Sequence, residues 1–271
     1  MMRAGIYYNK NYFDENKPYI DIITGSLLKN EIEPIVVKDI CDIAGLDVLF
    51  VLGGDGTILM VASECAKHGV KIIGINYGHL GFLTEFEQEN IDDALKLVIG
   101  GKFKTQKRSM LEISCADKTF FALNDFVIQR STAGANFTNT VNLQAYIDGS
   151  LVDNYSADGI IVSTPTGSTA YSLSAGGSIL TPDLNAFIMT PICAHSLHSR
   201  PVVFNDNSVL EIVPNDEKLP LNIIIDGKVQ DRINKAISIS VKKSKYFVEF
   251  IICDEKDFFE KLLFKLNIWS R

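Results

Sequence analysis

The chain has 271 residues, 46% hydrophobic and 22% charged, with 26 Lys and Arg against 33 Asp and Glu for a formal net charge of −7. Scaling with length has such a chain burying roughly 70% of its unfolded surface, which excludes long disorder as its main character and leaves room for one large domain or two modest ones. An acidic chain lacks the field that gathers a phosphate backbone, so nucleic acid is not an expected partner, and five cysteines without a CxxC point to a reducing cytoplasm rather than to disulfides or a zinc ribbon.

The first hundred residues alternate strand and helix patterns. Residues 4–8 read as a strand and 19–28 as a helix, with Ile20, Ile23, Leu27 and Leu28 on one face. A short strand follows at 34–37. Residues 47–52, DVLFVL, form a near-continuous apolar run, as a parallel strand covered on both faces does. The run stops at Gly53-Gly54, and a helix is predicted over 57–68, capped by Thr57. A strand at 70–75 and a helix at 90–99 complete the pattern, which argues for an open, Rossmann-like α/β domain over 1–100.

The pattern changes after Gly100-Gly101. Short strands are predicted at 145–147, 151–155, 160–163, 202–204, 209–213, 223–225, 236–241 and 246–252, with a hairpin turn at Asp148-Gly149. One short helix interrupts them near 168–175. Residues 101–253 therefore read as an all-β, sandwich-like domain. A last helix at 256–266 is expected to pack back on the first domain, so that 254–271 belong with 1–100. The basic runs at 102–108 and 242–245 read as solvated strand edges or loop faces. No apolar stretch reaches roughly 18 residues, so no membrane partner is expected.

The sharpest chemical signal is Gly53-Gly54-Asp55-Gly56-Thr57, between a buried strand and a helix. Glycines let backbone N–H groups approach an anion, and the helix N-terminus adds partial positive charge. The turn reads as a phosphate cradle, formed by Gly53, Gly54, Gly56 and Thr57. It is neither GxxxxGK[ST] nor GxGxxG. Asp55 is the odd member, because a carboxylate among phosphates is repelled unless a proton, a metal or a reacting hydroxyl compensates it. That suggests a general base or a metal contact. A plain turn with an acid at the helix start, worth up to about 1 kcal/mol, is the alternative, and is favoured only for an isolated GDG.

Asn124-Asp125 sits inside an apolar setting. A strand-end turn presents both side chains to one ligand, which suits a ribose; a polar bulge at a sheet edge suits the sequence equally. Asp158-Gly159 leads to a glycine- and hydroxyl-rich stretch ending at Gly176-Gly177, which lets a ligand lie close to main chain. His195 and His198 are spaced i, i+3 without a third ligand, so a structural role is expected. His79 reads as a phosphate contact or a turn cap. GxSxG is absent, so serine-hydrolase chemistry has no support.

Six blocks, in order, resemble the NAD kinase family: GGDGT at 53–57, INYGHLGFLTE at 75–85, LND at 123–125, DGIIVSTPTGSTAYSLSAGG at 158–177, HSLHSRP at 195–201 and IDGK at 225–228. GGDGT alone also occurs in diacylglycerol and sphingosine kinase relatives, and a similar GGDG in phosphofructokinases; the TPTGSTAYSLSAGG block separates the NAD kinases from them. The resemblance implies phosphorylation of the adenosine ribose 2′-hydroxyl of NAD by ATP, or by polyphosphate, with Mg²⁺ or another divalent cation and no dedicated protein metal site. It implies Asp55 as the base and Gly56 as a dinucleotide contact beside it. Asn124 and Asp125 become the ribose pair, although the family more often has Asn-Glu, and Asp158 contacts the nicotinamide side. Thr166, Thr169, Ala170, Tyr171, Ser172, Leu173 and Ser174 form the base pocket, with Phe82 as a wall. A homodimer or homotetramer in the cytoplasm is implied. Met60, Ser156, Ala194 and Lys228 depart from residues common in the family. The rival readings are a non-catalytic dinucleotide sensor and a lipid or sugar kinase sharing only GGDGT.

Overall fold

The apolar runs of the first hundred residues become parallel strands with helices on both sides. The elements are β1 (Arg3–Tyr8), α1 (Phe13–Lys29), β2 (Glu33–Val36), β3 (Val48–Leu52), α2 (Asp55–His68), β4 (Lys71–Asn76), β5 (Phe86–Glu87) and α3 (Ile91–Gly100). There follow β6 (Lys104–Cys115), β7 (Lys118–Ala122), β8 (Asp125–Arg130), β9 (Val141–Ile147), β10 (Ser150–Ala157), β11 (Gly159–Ser163) and α4 (Tyr171–Ser174). The chain ends with β12 (Ala186–Ile192), β13 (Val202–Asn205), β14 (Leu210–Pro214), β15 (Leu221–Ile225), β16 (Lys228–Ile233), β17 (Ile239–Ile252) and α5 (Phe258–Trp269). The computed structural model describes residues 2–9, 13–76, 81–131, 140–196, 198–215, 220–233, 237–253 and 258–269. Two compact units divide the chain, Met1–Arg108 with Tyr246–Arg271, and Ser109–Lys245.

In the first unit β1 lies between β2 and β3, and β3 is followed by β4, all parallel. One face of this sheet packs Ala4, Ile6, Val48, Phe50, Leu52, Ile73 and Ile75 against Ile20, Ile23 and Leu27 of α1 and Ala94, Leu95 and Val98 of α3. Strand residues alternate sides, so Leu49 and Val51 face the other way. On that face Gly74 of β4 is so close to Ile58 of α2 that a side chain has no room. Each fully buried apolar side chain of this kind contributes about 1.5–3 kcal/mol. The chain leaves β1 towards β2 and leaves β3 towards β4. This reversal of strand order puts a crevice at the carboxyl ends of β1 and β3, where open α/β sheets bind ligands. The glycine turn follows the last residue of β3. Helix α1 starts six residues before the predicted 19–28, with Pro18 inside it and with Asp14 and Glu15 suiting the positive helix end.

The second unit is a sandwich of antiparallel strands. One sheet has the order β13-β12-β11-β8-β15-β16. Its inward residues Phe126, Ile128, Ile160, Val162, Phe187, Met189, Ile223 and Ile225 pack with Leu143, Ala145, Tyr155, Leu210 and Ile212 of β9, β10 and β14. Its outward residues Val127, Ile161 and Ile192 pack with Ala175 and Ile224. The hairpin turn is at Asp148-Gly149, both residues with positive φ (50° and 80°). Strand β17 replaces two predicted strands: the basic run inside it stays extended, Lys242 pairing with Glu112 at 3.1 Å and Lys243 with Asp206 at 2.5 Å. Strand β12 was not anticipated. All five cysteines are free thiols. Among the described residues no helix is long and apolar enough to cross a membrane.

Candidate active site

The Gly53–Thr57 segment turns sharply from strand to helix. Gly53 has φ +144°, and a side chain there meets the Thr57 hydroxyl, so this bend accepts only glycine. Its N–H bonds Ile75 O at 2.9 Å, anchoring the turn to the neighbouring strand. Gly54 is the N-cap of α2, and its carbonyl accepts from Thr57 N at 2.9 Å. The amides of Asp55 and Gly56, at the first two helical positions, lie outside the helical ladder. Gly56 is exposed. The turn thus presents amides and positive helix potential, as a phosphate requires.

Asp55 is fixed from a second direction. Its Oδ2 accepts from Phe82 N at 2.9 Å and its Oδ1 from Leu83 N at 3.0 Å. Gly81 lies against the carboxylate so closely that a Cβ there overlaps it. Gly81 N donates to the buried Thr84 hydroxyl at 2.8 Å, and Glu85 N to Gly74 O at 3.2 Å, which tie the 81–85 loop to itself and to β4. A carboxylate with four acceptor positions retains capacity beyond these two bonds. The Phe82 ring, expected as a pocket wall, stands 6.4 Å from that of Phe258 on α5. His79 and its neighbours 77–80 lie outside the described residues.

In the second unit Leu123 and Asn124 form the bend between β7 and β8, the strand-end turn rather than the bulge. The Asp226 carboxylate accepts from Leu123 N (3.0 Å), Asn124 N (2.7 Å) and Asp125 N (3.1 Å). Asp226 N in turn donates to Asp125 O at 3.0 Å. Asp226, with φ +47°, sits in the β15–β16 hairpin turn. The Asn124 side-chain Oδ1 is buried and has no hydrogen-bond partner. Asp125 is 4% exposed. Burial first, then the negative charge of Asp226, pushes its carboxyl up to about 7. Burial also raises the Asp226 carboxyl, against the lowering effect of its three amide donors and of Lys228. An orphaned acceptor beside a carboxyl group is chemically suited to receive hydroxyls.

The hydroxyl-rich stretch is tied down by bonds within itself and to neighbouring segments. Thr164 Oγ1 donates to Leu123 O at 2.6 Å and accepts from Gly167 N at 3.1 Å. Thr164 N donates to Asn124 O at 2.9 Å, and Gly167 lies flush on the Asn124 backbone. Ser168 bridges Pro165 O and Leu180 N, at 2.7 and 2.9 Å. Thr169 donates to Thr166 O at 3.4 Å, and Ser172, fully buried, bonds Thr190 at 2.9 Å. Thr166 and Thr169 are buried, Ala170 and Leu173 half-buried, and Tyr171 and Ser174 exposed. Asp158 pairs with Arg130 at 2.9 Å. Cys193 to Ala194 bring the chain to His195, whose N–H donates to Ser156 O at 2.9 Å; both described histidines of that block are exposed.

Asp226 and Arg130 escaped the sequence reading as site residues, and Gly81 and Thr84 stood only inside a matched block. The signal for Asp226 was present in IDGK, whose Asp-Gly marks a tight hairpin turn. A cleft of about 360 Å³ in the first unit, lined by Glu85, Phe86, Asn90, Asp93, Lys96, Leu97 and Cys253, contains none of the glycine-turn residues.

A family model of the ATP-NAD kinase N-terminal domain matches residues 14–103, and one of the ATP-NAD kinase C-terminal domain matches residues 123–253. An NAD kinase of Caldanaerobacter subterraneus subsp. tengcongensis is 42% identical over 226 residues, covering 82% of this chain and 78% of the relative. One from Caldicellulosiruptor saccharolyticus is 38% identical over 268 residues, covering 98% of this chain and all of the relative. The crystal structure of an NAD kinase from Archaeoglobus fulgidus in complex with ATP matches with a TM-score of 0.80 at 27% identity, covering 98% of this chain and 99% of that one. Yeast NADH kinase complexed with NADH shares the fold, with a TM-score of 0.86 at 24% identity, covering 100% of this chain and 89% of that one.

Proposed function

The chain belongs to the NAD kinase family, and on that premise we propose that Asp55 takes the proton from the 2′-hydroxyl of the adenosine ribose of NAD while that oxygen attacks the γ-phosphorus of ATP. The new O2′–P bond forms as the bond to the β-phosphate oxygen breaks, giving NADP and ADP. The observation that carries this reading is the Asp55 carboxylate, anchored by the Phe82 and Leu83 amides at the start of α2. A hydroxyl is a poor nucleophile while protonated, and a positioned base accelerates its reaction about 10²–10⁴-fold. The rest of phosphoryl transfer is alignment and charge neutralisation. The Asp55 and Gly56 amides and the α2 dipole meet the phosphates. A divalent cation bound with the nucleotide would neutralise phosphate charge, and Asp55 is the carboxylate in this turn that would touch it.

Asn124 and Asp125 hold the ribose. The unpartnered Asn124 Oδ1 accepts one hydroxyl, and the Asp125 carboxylate accepts others. Asp158, oriented by Arg130, contacts the nicotinamide side. The 166–174 stretch carries the bases on its main chain and on the Ala170, Tyr171, Leu173 and Ser174 surface, while Thr169 bonds Thr166 within it and Ser172 ties it to Thr190. A reading as a lipid or sugar kinase sharing only GGDGT is not favoured, since the matched C-terminal domain covers residues 123–253. Incubating purified protein with NAD, Mg²⁺ and either ATP or polyphosphate tests the proposal. NADP formation with ATP is the expected result, and NADP no higher than a buffer control would instead favour a dinucleotide sensor.

The exposed Leu151, Val203 and Val229 lie on β10, β13 and β16, three strands that end a sheet path. Such edges pair with other chains, which supports a homodimer or homotetramer, to be measured by light scattering. Five free thiols suit a cytoplasmic location.

A further inference from the structure

The loop that holds Asp55 is itself held by the C-terminal helix. Phe82 and Leu83 supply the two amides on the Asp55 carboxylate. Two residues further on, the Glu85 carboxylate accepts from Cys253 N at 3.2 Å and pairs with the Lys261 ammonium. The Glu85 and Lys261 side chains are only 8% and 11% exposed, so this is a buried ion pair. Phe258 meets the Phe82 ring from one side, and Lys265 Nζ lies 5.6 Å from the centre of that ring, within cation–π range. Phe258, Lys261 and Lys265 are spaced i, i+3, i+7, which is one face of α5. A single helix face therefore grips the loop at Phe82 and at Glu85, on both sides of the amide that Leu83 offers.

We propose that α5 is a positioning element for catalysis, in which Lys261, acting through Glu85, and Phe258, acting through Phe82, set the two amides that aim Asp55. The inference rests on the reading of Asp55 as the base. Removing the Lys261 ammonium leaves a buried carboxylate without its counter-charge, and such a group moves to find water. Glu85 carries the loop with it. A shift of the order of 1 Å in a catalytic geometry costs up to about 10² in rate, even when its cause is remote. Neither Lys261 nor Phe258 touches Asp55, so both act through the loop.

The test compares Lys261→Met, Lys261→Arg, Phe258→Leu and the double variant Glu85→Gln/Lys261→Met with wild type, using Asp55→Asn as reference. Steady-state kinetics are read together with hydrogen exchange of the 81–85 segment. Lys261→Met is expected to lower kcat about tenfold with the KM for NAD changed less than about twofold, and to speed exchange at Phe82 and Leu83. Lys261→Arg restores most of the rate, and the double variant, with no stranded charge, restores part. Phe258→Leu, which keeps the position apolar, lowers kcat in the same direction and covers the case in which Lys261→Met fails to fold. Wild-type kcat and exchange in folded Lys261→Met or Phe258→Leu, alongside an inactive Asp55→Asn, overturns the proposal. Near-wild-type turnover in Asp55→Asn overturns the base reading beneath it instead.

Discussion

Asp226 Oδ1 lies 2.7 Å from the amide nitrogen of Asn124, across 102 residues of sequence. The same carboxylate takes the amides on either side, so one side chain substitutes for the backbone pairing that the bend at 123–125 gives up. Asp226→Ala leaves three amides to find other acceptors. A loss on the order of 3–5 kcal/mol is expected, read as a lower midpoint in urea, together with a raised KM for NAD because the ribose pair loses its template. Asp226→Asn keeps one acceptor oxygen and is expected to be milder in both respects. A variant Asp226→Ala with unchanged midpoint and KM contradicts this role.

Asn124 carries an acceptor that the free protein leaves unsatisfied. An unpaired buried acceptor costs about 1–3 kcal/mol, a cost relieved when a ligand hydroxyl arrives. Asn124→Leu is therefore expected to move stability and binding in opposite directions. The ligand-free melting temperature holds or rises, while NAD affinity falls about tenfold or more. Calorimetric titration beside a thermal melt measures both. A fall in both quantities shows that Asn124 is a fold residue only.

The Asp125 carboxyl titrates at about 7 in the fold, against an ordinary value of 3.8, because it is buried and faces Asp226. The phenol of Tyr171 also feels the Asp125 charge, and Lys228 lowers Asp226 from the other side. A raised acid favours its protonated form in the fold. Its stabilising contribution is complete below 3.8 and is lost as pH rises through about 7. The ceiling on that loss is on the order of 4 kcal/mol. Wild-type stability is expected to fall between about pH 4 and pH 7, by less in Asp125→Asn. Binding follows the opposite course. The ionised carboxylate accepts from two hydroxyls where the acid accepts from fewer, so the KM for NAD falls as pH rises through about 7. In Asp226→Asn, with the facing charge gone, that change moves to lower pH.

The candidate site residues of each unit were legible to different degrees, for reasons of range. The Gly53–Thr57 turn announces itself within a dozen residues, because the apolar run, the glycines and the helix pattern are contiguous. Asn124 and Asp125 were visible as polar residues in an apolar stretch, but choosing between a turn and a bulge needed Asp226. Glu85 and Lys261 are 176 residues apart, and only the folded chain pairs them. Strand β12 hid behind Pro191, which sits opposite Ile160 in the ladder. Strand β17 looked like two strands because its lysines interrupt the apolar alternation, and their partners Glu112 and Asp206 lie on distant segments. The hydroxyls between Ser163 and Ser172 look available to a ligand, whereas several are spent on carbonyls of the loop itself and on Leu123 O.

Gly81 gives the most direct test of how Asp55 is held. A Cβ at position 81 meets the Asp55 carboxylate first and the Thr84 hydroxyl next. Both are parts of the anchor, so the methyl group of Gly81→Ala has to push one of them aside. The neighbouring amides of Phe82 and Leu83 then no longer meet Asp55 Oδ2 and Oδ1 together. Asp55 itself is retained, unlike in Asp55→Asn, so any rate loss reports geometry rather than the missing base. Gly81→Ala is expected to lower kcat by about 10–10²-fold, with ATP and NAD still bound. Gly100 offers the control, since a Cβ there meets nothing within 4 Å and Gly100→Ala leaves kcat unchanged. Equal kcat in the two variants contradicts the close seating of the base against the loop.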